Sequence, residues 1–183
     1  MERGDALKLL EENLKNKNLV KHCLAVGAIM KALAKRLGED EKKWEMVGIL
    51  HDLDYEKTMN DFEKHGILTA EILKDKLDEE SLHAIKAHNF EHTKVEPKTK
   101  MDFALIAADS ISGLIVAAAL VMPNKKLEEV KVETILKKFK QKDFARKIDR
   151  NRILFCEKIG LSLEEFAKLS LEALKEISEE LGL

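Results

Sequence analysis

Punctuating residues are scarce in this sequence. Two prolines and eight glycines among 183 residues leave little to interrupt long helical patterns, because these residues end or bend a helix at the greatest cost. The two cysteines, Cys23 and Cys156, stand far apart and outside any CxxC pair; they form no disulfide framework and suit the role of small apolar fillers. One Trp, one Tyr and a net charge of −2 argue against nucleic acid as the substrate and against an anionic membrane as a partner. The opening "MERGDALKLLEENLKN" is charged throughout and is no signal peptide, so the cytoplasm is the expected compartment.

What is present favours helix. Hydrophobic residues make up 45% and charged residues 36%, a composition that can bury a core, and the dominant Ala, Leu, Lys and Glu are strong helix formers. Asp5 is placed to cap a first helix running to about Lys17. Leu19, Cys23, Val26, Met30, Leu33 and Leu37 form the apolar stripe of a second, ended by Gly38. A third begins at "EDEKKW" and carries His51 and Asp52 near its end. Two short helices follow in "HGILTAEILKDKL" and "DEESLHAIKAHN", then a loop over residues 89–100. Residues 103–122, "FALIAADSISGLIVAAALVM", are apolar enough to imitate a membrane span. A central Asp109 is expensive in lipid, however, so the segment reads as the buried central helix of a bundle. No credible strand occurs. The expected fold is all-α: a helical domain over residues 1–124 with a C-terminal helical extension, residues 125–183, packed on it as one compact unit, its last helix capped by Ser162.

The chemistry-bearing residues are histidines and aspartates. Imidazole nitrogen with carboxylate oxygen suits a divalent ion such as Mn, Fe, Co, Ni, Zn or Mg, and facing helices of a bundle can aim such ligands inward. Singly, His22 reads as a boundary residue of an apolar stripe and His51–Asp52 as a chance pair. Asp109 demands more, since an unpaired carboxylate amid Ile, Ala and Leu loses several kcal/mol by desolvation. A metal is the simplest partner, and a Lys or Arg from a neighbouring helix would also serve.

The order His22, His51–Asp52, Asp109 resembles the H…HD…D signature of the HD superfamily of metal-dependent phosphohydrolases. The surrounding "GILHDLD", "HGILTAEIL", "AIKAHN" and "ALIAADSISGLI" are similar too, so the resemblance spans roughly residues 15–122. It is closest to the small HDIG-type members, although HDLD stands here for HDIG. The resemblance implies a helical bundle with one or two divalent ions at its centre, held by His22, His51, Asp52 and Asp109. It also implies hydrolysis of a phosphate ester of a nucleotide or related small molecule by metal-activated water. In dinuclear branches, histidines at the places of His65 and His88 help hold a second ion. The Gly-Tyr-Pro element of the cyclic-di-GMP phosphodiesterases is absent from "NFEHTKVEPK", which leaves a diadenosine-tetraphosphatase-like dinuclear site as the nearer expectation.

Phosphoryl transfer needs positioning and positive charge around the phosphoryl oxygens. Lys57 and Lys86 are candidates for that charge, set against the abundance of surface lysines. Asp54 is a candidate to orient the attacking water, set against a solvent-exposed place at a helix end. His83 and His92 read as solvated. Residues 137–152 concentrate Lys and Arg and read either as a solvated face or as an electropositive lip for a polyphosphate or nucleotide. Phe139 and Phe144 there can stack on a base or pack on the bundle. A competing class is a metal- or nucleotide-binding sensor of the same fold that turns nothing over.

Overall fold

The computed structural model describes residues 1–183 and contains helices and turns with no strand. Helices α1 (Arg3–Asn13), α2 (Lys17–Leu37) and α3 (Glu41–Leu50) come first. Asp5 does not cap α1; it lies in the first turn and accepts the Glu2 amide at 3.1 Å. The helix stops at Asn13 rather than Lys17 because the Glu56 carboxylate takes the amides of Lys15 and Asn16 at 2.7 and 3.2 Å. Asn16 then caps α2 through the Asn18 amide, and Gly38, with φ of 72°, ends it in the left-handed conformation expected of a C-terminal glycine. Asp40 caps α3 by accepting the Lys43 amide at 3.0 Å.

The α2–α3 pair packs most intimately, and its closeness rests on glycine. A Cβ placed on Gly48 would lie 2.7 Å from the Gly27 Cα and 2.9 Å from the Val26 carbonyl oxygen. Only hydrogen at both positions lets the two backbones touch.

Beyond α3 the chain turns through residues 51–54 into α4 (Tyr55–Thr58), a 3₁₀ turn at Phe62–Lys64, α5 (Ile67–Leu73) and α6 (Glu79–Ala87). The stretch expected as loop contains one helical turn, α7 (Phe90–Thr93), closed by Lys94 at φ 60°. Next comes α8 (Lys100–Leu120), the central helix. It is long and apolar enough to cross a membrane, with a mean hydropathy of 2.1, yet 67% of its most apolar stretch is buried inside the protein. Its fully buried carboxylate is Asp102, which accepts the Lys98 and Thr99 amides at 2.8 and 2.9 Å and so closes the helix start.

The extension folds as α9 (Val132–Lys140), α10 (Arg150–Ile153), α11 (Leu163–Glu176) and α12 (Ser178–Leu181), with the break at Ile177 dividing what reads in the sequence as one final helix. Ser162 caps α11 as expected. Leu127, Ile135, Ile153, Phe166, Leu171 and Leu174 are buried in the same apolar cluster as Val26, Leu50 and Leu105. The extension therefore completes the core around α8 rather than standing off it.

Candidate metal centre

His51 and Asp52 lie in the turn that ends α3, so neighbouring side chains point into one space instead of diverging round a helix. His22 approaches from α2, Asp109 from α8, His65 from the residue before Gly66, and His88 from the end of α6. Asp52 stands at the centre. Its Oδ1 is 3.2 Å from His51 Nε2, 3.2 Å from His65 Nε2 and 3.4 Å from His88 Nε2, while its Oδ2 is 3.6 Å from His22 Nε2. His65 and His88 bring their Nε2 atoms within 3.1 Å of each other. Asp109 Oδ1 is 3.1 Å from His22 Nε2 and 3.9 Å from His51 Nε2. Adjacent ligands on an ion at about 2.1 Å stand roughly 3 Å apart, so this is the spacing of atoms gathered round a common ion.

Each imidazole is held by its other nitrogen. His51 Nδ1 donates to the Gly48 carbonyl at 2.8 Å, His88 Nδ1 to the Ile85 carbonyl at 2.5 Å, and His65 Nδ1 to Asp54 Oδ1 at 2.7 Å. His22 Nδ1 faces Ser112 Oγ at 3.3 Å, whose hydroxyl donates to the Asp109 carbonyl at 2.8 Å. Committing Nδ1–H to an acceptor leaves the Nε2 lone pair for a metal and sets the ring's orientation. The buried His51 Nε2 and Asp52 Oδ1 have no hydrogen-bond partner in the protein. Orphaned donor atoms of this kind are rare in a core, and a divalent ion would satisfy both. The residues fit such an ion.

Two donor groups can be distinguished, His22–His51–Asp52 and Asp52–His65–His88, with Asp52 common to both. Electrostatics follow from this packing. Burial would raise the Asp52 carboxyl, but the His51 charge and the neighbouring His65 and His88 rings hold it well below the usual carboxylate range. Burial likewise opposes charge on His65, yet the nearby Asp52 carboxylate and the hydrogen bond to Asp54 push it up to about 10. His88, buried and facing the charges of His65 and His51, is held below the ordinary histidine value despite Asp52. A carboxylate that keeps its charge in such a setting is a natural cation ligand.

Three sequence-based expectations need correction. Asp54 neither faces the cleft nor meets solvent: it is fully buried and accepts the Gly66 and Thr69 amides at 2.8 and 2.9 Å besides the His65 ring. Two residues past Asp52 it points the other way, behind His65 and into the start of α5. Lys57 donates to Asn13 Oδ1 at 2.7 Å on the outer surface, and Lys86 sits two residues before His88, on another side of α6. Neither lysine lines the cleft; for Lys86 the reason is that side chains two apart diverge by roughly 200° on a helix. His83, expected in solvent, lies 3.1 Å from the buried Asp102.

The cation at the site comes instead from the extension. Arg152 donates to Asp109 Oδ2 at 3.3 Å, to the His88 carbonyl at 2.6 Å and to Glu91 at 2.7 Å. Asp109 is accordingly neither unpaired nor sealed from water; its side chain is 24% exposed. The cleft above these residues has a volume of about 460 Å³ and is also walled by Tyr55, Phe62, His92 and Lys147, a size suited to a small ligand. A groove of about 570 Å³ between α2 and α11 is lined by charged side chains and contains none of the donors. Sequence reasoning had no view of Ser112, Thr69 or Glu91. A hydroxyl three residues after Asp109, one helical turn on, is the only one of these that spacing could have suggested.

The HD-domain family model matches residues 19–114, and this chain belongs to the HD-domain family of metal-dependent phosphohydrolases. Among curated proteins it is similar to ribonuclease Y of Nitratidesulfovibrio vulgaris, at 35% identity over 99 residues, covering 54% of this chain and 18% of that protein. Ribonuclease Y 2 of Bdellovibrio bacteriovorus is 34% identical over 93 residues, 50% of this chain and 17% of its own length. The likeness to ribonuclease Y of Desulfotalea psychrophila is weaker, 28%, but runs over 170 residues and 90% of this chain, taking in the extension. The chain spans between 17% and 32% of the length of these relatives. No solved structure matches it.

Proposed function

We propose that this protein is a metal-dependent hydrolase of nucleotide phosphate esters, with one ion held by His22, His51, Asp52 and Asp109 and a second by Asp52, His65 and His88. The observation that carries this reading is the convergence of four Nε2 atoms on Asp52, each ring fixed through its Nδ1. A bound divalent ion lowers the pKa of water and neutralises charge on a phosphoryl oxygen. Around it, Arg152 supplies a fixed cation beside Asp109, suited to the spread charge of a phosphoryl group. Phe62, 37% exposed at the cleft wall, offers an aromatic face to a base. The relatives are named ribonucleases, which puts RNA beside mononucleotides and dinucleoside polyphosphates among the substrates to test.

Elemental analysis of protein purified without chelator or affinity nickel is the direct check. About two ions of Mn, Fe, Co, Ni, Zn or Mg per chain are expected, with hydrolysis of at least one member of a broad phosphoester panel. His88→Ala should lower the content to about one ion. Metal binding without turnover of any ester would leave a sensor in place of an enzyme, and no binding after reconstitution would sink both readings.

Asp54 has a separate, finer role. As the acceptor that holds His65, it should matter for the second ion alone. Asp54→Asn is expected to weaken that ion's affinity by about 10–100-fold while the first ion stays bound. A metal titration showing equal loss of both ions would contradict this assignment.

A further inference from the structure

The cleft does not end at Lys147. Lys147, Ile148 and Asp149 also form one wall of a neighbouring hollow of about 590 Å³, whose remaining walls include Lys140, Lys142 and Arg146. The two depressions adjoin and share those three residues. Residues 137–152 carry eight basic side chains against two acidic ones, in a chain whose net charge is −2. Lys140, Lys142, Arg146 and Lys147 are all exposed and take part in no ion pair, whereas Arg152 of the same segment is paired with both Glu91 and Asp109.

The segment is also built rather than loose. Six carbonyls, those of Lys138, Phe139, Gln141, Phe144, Ala145 and Ile148, lie within hydrogen-bond distance of the Arg150 guanidinium and share its five N–H groups. Ala145 adopts a φ of 47° within this wrap. A connecting loop ordinarily leaves its carbonyls to water. Here they turn inward onto one residue, and the unpaired lysines and arginine are left on the outer face.

We propose that this hollow binds the sugar–phosphate backbone of a single-stranded polynucleotide whose scissile phosphate lies at the metal centre. The inference rests on the phosphohydrolase reading and narrows its substrate class from nucleotides to strands. A hollow of unpaired cations next to the cleft suits a single strand, because its affinity comes from phosphate contacts that release counterions. A mononucleotide held in the metal cleft has no use for charge in the next hollow.

The test is equilibrium binding, read by fluorescence anisotropy with a labelled single-stranded RNA of about 20 nucleotides, longer than a typical site of roughly 4–16. It is done in chelator, so that turnover plays no part. The K140Q/K142Q/R146Q triple variant should bind the strand about tenfold more weakly, and the slope of log K against log salt should flatten by about 2, at roughly 0.7 per lost contact. Affinity for inorganic phosphate or AMP, measured on metal-loaded protein, should change less than about twofold. The single variants K142Q and R146Q should each give a fraction of the slope change, and circular dichroism should show all of them folded. An unchanged slope in the triple variant would make the segment a solvated face and overturn the proposal. So would binding to anionic phospholipid vesicles that exceeds binding to RNA. If the strand binds as expected while no phosphoester is cleaved by metal-loaded wild-type protein, the enzymatic reading falls and the polynucleotide surface stands.

Discussion

Asp52→Ala is expected to empty both metal positions at once and to lower kcat/KM by more than about 10³-fold, beyond the 10²–10³ that one electrostatic donor typically contributes. No other side chain belongs to both donor groups. Its Oδ1 is within 3.4 Å of three imidazole nitrogens and its Oδ2 lies 3.6 Å from the fourth. Removing it leaves four buried or half-buried rings facing one another with no carboxylate between them, an arrangement that repels a cation as soon as any ring is charged. The informative comparison is Asp109→Ala, which spares Asp52, His65 and His88 and so should keep one ion. Elemental analysis and steady-state kinetics on the two variants separate a shared bridging ligand from an ordinary one. Near wild-type metal in Asp52→Ala would refute the whole arrangement.

Gly48→Ala is expected to destabilise the protein by about 3 kcal/mol or more, at the upper end of overpacking costs, and to lower the melting temperature by roughly 6–12 °C for a chain of this size. The added methyl would press into the Val26–Gly27 peptide, at 2.7 and 2.8 Å from Gly27 and 2.9 Å from the Val26 carbonyl oxygen. Backbone cannot swing aside as a side chain can, so α2 and α3 must separate. Those helices carry His22 and, at its end, His51, and the Gly48 carbonyl itself orients the His51 ring. Metal affinity should therefore fall together with stability. A urea titration alongside a metal titration measures both, and an unshifted unfolding midpoint would mean that the two helices tolerate a wider spacing than their contact implies.

Much of this architecture was readable in the sequence because local rules and burial agree. Gly38 and Ser162 mark helix ends, and the stripe from Leu19 to Leu37 and the apolar run around Asp109 mark helices whose faces meet the core. The ligand candidates His22, His51, Asp52, His65, His88 and Asp109 do come together, since their family order carried information that spacing alone did not. What failed was direction. Lys57, Lys86 and Asp54 are close to ligands along the chain but point elsewhere, and sequence proximity does not specify the side of a turn. Glu56 ended α1 from more than 40 residues away, and Arg152 reached Asp109 from an element 43 residues on. Such long-range contacts leave no periodic trace. The full burial of Asp54 was hidden for the same reason, because its partners are the amides of Gly66 and Thr69, at the start of α5.

The Nδ1 bonds that hold the four rings have a thermodynamic consequence of their own. Three of them end on backbone carbonyls or on a carboxylate that is itself tied to backbone amides. The rotamers are thus frozen by folding, and the entropy of ordering the ligands is spent before any ion arrives. In small domains whose ligands are disordered until loaded, binding energy is consumed as folding energy. Here almost none need be diverted that way. Ion capture becomes an exchange of water for pre-aimed donors, with an affinity set by donor chemistry and an occupancy free to follow supply without unfolding the chain.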